Sequence, residues 1–196
     1  MIFTRSTRTA YAIVLAALLS AATSAHAQRV TAVDTSKSTI TFVSKQMNVP
    51  VEGKFGKFSA QLAFDPAQPS QGHVQVEVDL GSIDTGSEEA NDEVKSKGWF
   101  DVKNYPTARF VSSSVKSLGA GRYEVAGKLT IKGRSKDVSA PFTFKSAGPG
   151  GVFEGSFALK RLDYGVGEGA WSDTDTVANE VQIKFRLSVA SAGPRQ

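Results

Sequence analysis

The chain of 196 residues has no cysteine and only two histidines, His26 and His73. Disulfide staples and cysteine nucleophiles are therefore excluded, and packing and strand pairing must supply the stability. Histidine-based triads and the usual zinc centres need more imidazole or thiolate than this chain can bring together. Charge of one sign is also scarce: 23 Lys and Arg stand against 19 Asp and Glu, spread along the sequence, for a formal charge of +4. That is no basic stripe of the kind nucleic acid requires, so no nucleic-acid partner is expected. Long apolar runs are nearly absent. The one at Tyr11 to Leu19 falls short of the roughly 20 residues that span a bilayer, so the protein is expected not to be membrane-spanning.

That apolar run belongs to an export address. Arg5 and Arg8 form a positive n-region ahead of it, and Ala25-His26-Ala27 is an A-x-A cleavage site before Gln28. No cysteine follows to carry a lipid anchor. Residues 1–27 are expected to be a signal peptide cleaved after Ala27, with the mature protein in a bacterial periplasm. Losing Arg5 and Arg8 takes the formal charge from +4 to +2, and losing His26 leaves His73 as the only imidazole.

Period-2 alternation dominates the remainder. Phe58, Ala60, Leu62 and Phe64 share one face, as do Val74, Val76, Val78 and Leu80. The pattern resumes at Tyr123 to Ile131, Val138 to Phe144, Phe153 to Leu159 and Val181 to Val189. With the runs near Val30, Ile40 and Phe110, about eight strands are predicted. Barrels of that size fill with side chains or hold one small ligand. Breakers at Asp65-Pro66, Gly119-Ala120-Gly121, Gly133 and Gly148-Pro149-Gly150-Gly151 make the connections short, hence antiparallel. Pro141 inside its run predicts an edge or bulge position. One domain over residues 28–190 is expected, with 191–196 as a frayed tail.

One helix interrupts the strands. Thr85 and Glu88 read as a T-x-x-E capping box with Thr85 as N-cap, Lys95 and Lys97 fall in the last turn, and Gly98 is the stop. Its only apolar stripe is Ala90 and Val94, which predicts a helix lying on the barrel rather than inside it.

No catalytic set and no metal site is expected. His73 sits on the polar face of its strand. Asp163, Glu168, Asp173 and Asp175 leave carboxylate chemistry open in one loop, without spacing that singles out an acid and a base. Gly165 to Trp171 lacks the GK[ST] of a phosphate loop and reads as a glycine turn that folds Trp171 back on the barrel. The mature chain keeps eleven of the twelve phenylalanines, since Phe3 lies in the signal peptide. Inward Phe side chains either fill a barrel or line an elongated apolar cavity. Burial of an aliphatic chain is worth roughly 0.8 kcal/mol per CH₂, so a long lipid needs no strong polar contact.

At these residues the chain resembles the YceI-like proteins, exported lipocalin-like barrels known as polyisoprenoid binders. The resemblance rests on STITFVSKQMNVPVEGKFGKFSAQLAFDP (38–66), GSIDTG (81–86), WFDVKNYPTARF (99–110), GKLTIKG (127–133) and RLDYGVGEGAW (161–171). Many relatives carry R-D-x-H-L where this chain has Ala90, Asn91, Glu93 and Val94, and Trp99 replaces the first Phe of a Phe-Phe-Asp. The chain is closer to a subgroup with N-D-E-V-K-S and G-x-G-x-W, whose occasional association with cytochrome b561-type membrane proteins implies a quinone as readily as a polyprenyl carrier.

The expectation is thus an all-β, antiparallel, lipocalin-like barrel of about eight strands with one helix packed against it. It is expected to hold an isoprenoid-type lipid, polyprenyl chain or quinone, in an apolar cavity, with no other cofactor and no catalysis. The lining expected is Phe42, Phe64, Phe110, Phe142, Phe144, Phe157 and Phe185, with Trp99, Phe100 and Trp171 at the mouth. The alternatives are a secreted enzyme using the Asp163 to Asp175 loop, and an accessory subunit of a cytochrome b561-type membrane protein.

Overall fold

Alternating runs become strands in a computed structural model that describes residues 30–148 and 150–191. The signal-peptide reading at 1–27, Pro149 of the glycine breaker and residues 192–196 of the tail lie outside the described residues. In chain order the elements are β1 (Val30–Gln46), β2 (Val49–Phe55), β3 (Phe58–Phe64), β4 (His73–Asp79), β5 (Ile83–Asp84), α1 (Glu88–Lys95), β6 (Thr107–Gly119), β7 (Arg122–Ile131), β8 (Arg134–Ala147), β9 (Gly150–Lys160) and β10 (Glu180–Ser191).

Every strand pairing is antiparallel, and the circuit closes. From β10 the order runs through β9, β8, β7, β6, β4 and β3 to β1, which pairs back onto β10 from Val30↔Ser191 to Val43↔Gln182. The β3–β1 seam is narrow, carried by Val30↔Phe64 and Ala32↔Gln61. Eight strands therefore form the ring, as expected, and two extra ones, β2 and the two-residue β5, lie outside it. Beyond the seam, β1 turns from β3 to β2 (Ile40↔Phe55 through Gln46↔Val49), and β2 pairs with β5 through Lys54↔Asp84 and Phe55↔Ile83. Pro50, Gly53 and the two-residue length of β5 hide these strands from an alternation count.

Inward positions follow the predicted phase. Along β7, Tyr123, Val125, Gly127, Leu129 and Ile131 are buried in strict alternation. Pro141 pairs with Glu124 on β7, while pairing of β8 to β9 begins only at Phe142, so the proline marks where β8 parts from β9. Two apolar clusters sit at opposite ends of β7. Phe64 is the hub of one, with ring centroids of Tyr123, Phe142, Phe144 and Phe153 at 5.1, 6.0, 5.4 and 5.2 Å. The other gathers Leu80, Leu129, Ile131, Tyr164 and Val166, with Trp99 and Phe100 packed against it.

The helix is shorter than expected and differently capped. Ser87, not Thr85, is the N-cap; its hydroxyl accepts from the Ala90 amide at 3.5 Å. Thr85 instead donates its amide (2.7 Å) and hydroxyl (2.9 Å) to Asn91 Oδ1. Gly86, at φ +84°, turns the chain between them. At the other end Ser96 is the C-cap, and Lys97 and Gly98 lie beyond the helix. Glu88 and Glu89 in the first turn and Lys95 in the last do complement the helix dipole.

Candidate lipid cavity

Between and around the two clusters the barrel is hollow, with a cavity of about 890 Å³. That lies toward the upper end of small-molecule pockets, roughly 300–1,000 Å³. A barrel so rich in phenylalanine would fill if its rings pointed down the axis. They do not, because glycines on the neighbouring strands give them a place along the wall. A β-carbon on Gly53 would overlap the ring of Phe42, one on Gly127 the ring of Phe110, and one on Gly155 the ring of Phe185. Phe42↔Gly53 and Phe185↔Gly155 are direct cross-strand pairs. Inward residues at mid-barrel, among them Val74, Val76, Phe110, Phe157 and Phe185, stay only half-buried because they face this space.

Nine of the ten aromatic residues singled out from the sequence line the cavity: Phe42, Phe64, Trp99, Phe100, Phe110, Phe142, Phe157, Trp171 and Phe185. Phe144 does not. It packs in the Phe64 cluster, 4.6 Å centroid to centroid from Phe153, with its ring against Gly151. Phase alone placed it inward, but it lies past the hollow part of the ring. Phe55 and Phe153 line the cavity and were missed. Phe55 was hidden by the unrecognised β2, whereas Phe153 shared the alternation signal.

The mouth is marked by exposed lining residues: Gln46 on β1, with Ser87, Glu89, Asp92 and Glu93 on and before α1. The thin stripe of Ala90 and Val94 faces the cavity too. Across from the helix runs the 165–171 segment, where Gly165, Gly167 and Gly169 all adopt positive φ (68°, 75° and 66°). These turns fold Trp171 back as expected, with its ring centroid 5.6 Å from that of Trp99. The Trp171 indole donates to Glu93 Oε1 at 2.8 Å, which ties the loop to the helix. Gly98 O, just past the helix, accepts from the amides of Gly167 (3.0 Å) and Glu168 (2.9 Å).

Arg161 organises this loop, a role with no sequence signal beyond its place in the RLDYGVGEGAW motif. It is 2% exposed, and no carboxylate among the described residues pairs with it. Its five N–H groups reach five carbonyls: Ala178, Val166, Gly167, Trp171 and Val177, at 2.6–3.1 Å. Burial lowers its pKa from the ordinary arginine value, and the guanidinium lies 5.6 Å from the Trp99 ring. Tyr164, also buried, is pushed up to about 12 by desolvation and then by Asp163. Glu168 is held below the usual carboxylate value, first by the Arg134 hydrogen bond (2.8 Å) and then by Lys132 (3.4 Å).

Two of the loop carboxylates have structural partners. Glu168 is engaged by Arg134 and Lys132. Asp173 accepts from the Asp175 amide and the Thr176 hydroxyl, a local turn that keeps its pKa low. Among the described residues no three His, Cys, Asp or Glu side chains are grouped to hold a metal ion. His73 is exposed, with Nδ1 3.3 Å from Ser112 Oγ. No helix among the described residues is long and apolar enough to cross a membrane.

Comparison with known proteins gives a consistent picture. A UPF0312 protein of Pseudomonas syringae pv. syringae is 34% identical over 131 residues, 63% of this chain and 68% of that protein. A UPF0312 protein of Vibrio cholerae serotype O1 is 34% identical over 122 residues, 59% of this chain and 65% of its own. The crystal structure of Burkholderia cenocepacia BcnA is 50% identical, covers 80% of this chain and 99% of that one, and superposes with a TM-score of 0.79. A polyisoprenoid binding domain from Saccharophagus degradans, implicated in plant cell wall breakdown, shares the fold at 16% identity and TM-score 0.64, covering 85% of this chain and all (100%) of that one. The YceI-like domain matches residues 32–189, from within β1 to within β10, and the chain therefore belongs to the YceI-like family.

Proposed function

We propose that this protein is an exported lipid carrier that holds an isoprenoid-type chain in the barrel cavity without chemical change. The observation that carries this reading is the hollow lumen itself: the inward phenylalanines lie against glycines and leave about 890 Å³ of mainly apolar space. The Saccharophagus domain, named for polyisoprenoid binding, supports it as a relative in fold. The n-region, h-region and A-x-A site support a periplasmic setting.

The mouth favours a neutral head group, a quinone over a polyprenyl phosphate. Glu89, Asp92 and Glu93 line it; among the described residues Asp92 forms an ion pair, with Lys95 at 3.9 Å, and the two glutamates form none. The guanidinium of Arg161 has every donor engaged. An anionic head would meet like charge at this mouth, which costs free energy even in an exposed setting. Trp99 Nε1 is buried without a hydrogen-bond partner and suits a carbonyl oxygen. A membrane cytochrome of b561 type is the donor or acceptor class we assign to this cargo, on the resemblance alone.

Native mass spectrometry of protein purified from its own cell envelope tests the reading. A bound mass of a prenylated quinone is expected, and in titrations a quinone should outcompete a polyprenyl phosphate of equal chain length. Phe110→Asp with Phe157→Asp, at positions that touch both apolar clusters, should abolish loading. A folded double variant with unchanged loading overturns the proposal.

A further inference from the structure

We infer that the β1–β2 hairpin tip, Met47 to Pro50, is a membrane-docking element that seats the cavity mouth on a lipid bilayer. The inference rests on the lipid-carrier reading for its purpose, but its evidence is separate. Among the described residues four large hydrophobic residues are exposed, and the two most exposed share this tip: Met47 at 69% and Val49 at 63%. Single exposed apolar residues are ordinary on a protein surface, whereas a pair concentrated on a projecting turn is not.

The turn presents these side chains deliberately. Met47 and Asn48 both have positive φ, 48° and 63°. Asparagine tolerates that region; methionine rarely occupies it. The conformation is fixed from below. Met47 N donates to Thr176 O and Ala178 N to Lys45 O, both at 2.9 Å, and Gln46 bridges to Val177. The tip is therefore a braced projection of the barrel rim.

Its connection to the cavity is continuous. On the inner face of β2, Phe55 and Val51 line the cavity, and Val49 is the next inward position, beyond the mouth. Gln46, which pairs with Val49, lines the mouth. One apolar row thus runs from the lumen to the exposed tip, the path a lipid chain needs to leave a bilayer without crossing water. A four-residue tip is also far too small for a stable protein partner, which buries about 800 Å² on each side. A bilayer interface accepts such a wedge.

The test is co-sedimentation of lipid-free protein with phosphatidylcholine vesicles, with and without an embedded quinone. Wild type is expected to bind and to extract the quinone, and high salt should not release it, because the contact is apolar. Met47→Asp with Val49→Asp should lower vesicle binding and extraction about tenfold or more while leaving uptake of detergent-solubilised quinone unchanged, since neither side chain lines the cavity. Met47→Trp should shift its fluorescence to the blue on vesicles. Equal vesicle binding by the aspartate variant, or binding by neither protein, overturns the docking proposal whatever the cavity does. A wild-type dimer in solution that the aspartate pair dissociates assigns the tip to a second copy and overturns it as well. Failure of quinone uptake from detergent counts against the cavity reading alone, and the vesicle arm still decides docking.

Discussion

A buried cation without a carboxylate is tolerable only when every donor finds an oxygen, and Arg161 meets that condition with five carbonyls. Removing it leaves those carbonyls unpaired and loosens the segment carrying Trp171. Arg161→Met should therefore lower unfolding stability by about 3–5 kcal/mol in urea titrations. Arg161→Lys should rescue little, because an ammonium offers three donors from one point and cannot reach a ring of five acceptors. A loss below about 1 kcal/mol for either variant would show that the loop holds itself. Glycine acts at the same scale by what it leaves empty. At Gly155, whose missing β-carbon makes room for the Phe185 ring, Gly155→Ala should displace that ring into the lumen. The expected outcome is a lower lipid capacity in native mass spectrometry together with a stability loss of about 1–3 kcal/mol from overpacking. Unaltered loading in a folded variant would mean that the ring has another place to go.

At the scale of elements, α1 is held by few contacts, and none of its residues is fully buried. Its firmest tie across the mouth is the Trp171–Glu93 hydrogen bond, so Glu93→Ala should speed amide exchange in α1 and in 165–171 with little change in global stability. The 165–171 segment has a tie of its own to the β7–β8 turn, Glu168 to Arg134 and Lys132. Because the folded protein holds the Glu168 carboxyl below its ordinary value, this contact contributes stability above about pH 4.3, the usual glutamate pKa. The contribution is lost as pH falls through the lower folded value. Exchange in 165–171 should therefore accelerate in wild type once pH falls below the ordinary glutamate range. Glu168→Gln should already be fast at neutral pH and show no further acid step. The helix also shows where local signals mislead. Thr85-x-x-Glu88 has the letters of a capping box, but Gly86 breaks the chain between them, and Asn91 reaches back from inside the helix to occupy Thr85.

For the whole molecule, what could be read in advance was what has a period. Alternation located the eight ring strands, and the phase of Phe42, Phe64, Phe110, Phe142, Phe157 and Phe185 placed them on the cavity wall. The same phase misplaced Phe144, since alternation reports which side a residue faces and not how far along the axis the lumen is open. Arg161 carries no periodic signal and the two-residue β5 is too short for one, because their roles depend on carbonyls and strand edges brought together from distant segments. Hollowness, too, depends on glycine standing opposite phenylalanine across strands. It has a thermodynamic consequence for the molecule as a unit. Part of the apolar wall faces the cavity rather than other side chains, so a ligand that fills it binds the folded state alone and stabilises it by mass action. At a free concentration one hundred times its Kd the gain is about 2.7 kcal/mol. Protein stripped of lipid by unfolding and refolding should melt several degrees below material isolated with its cargo, and added quinone should restore the difference in a concentration-dependent way. The double variant Phe110→Asp with Phe157→Asp should melt at one temperature whether or not quinone is present. Identical melting of stripped and loaded wild-type protein would mean that the cavity is not where the lipid resides.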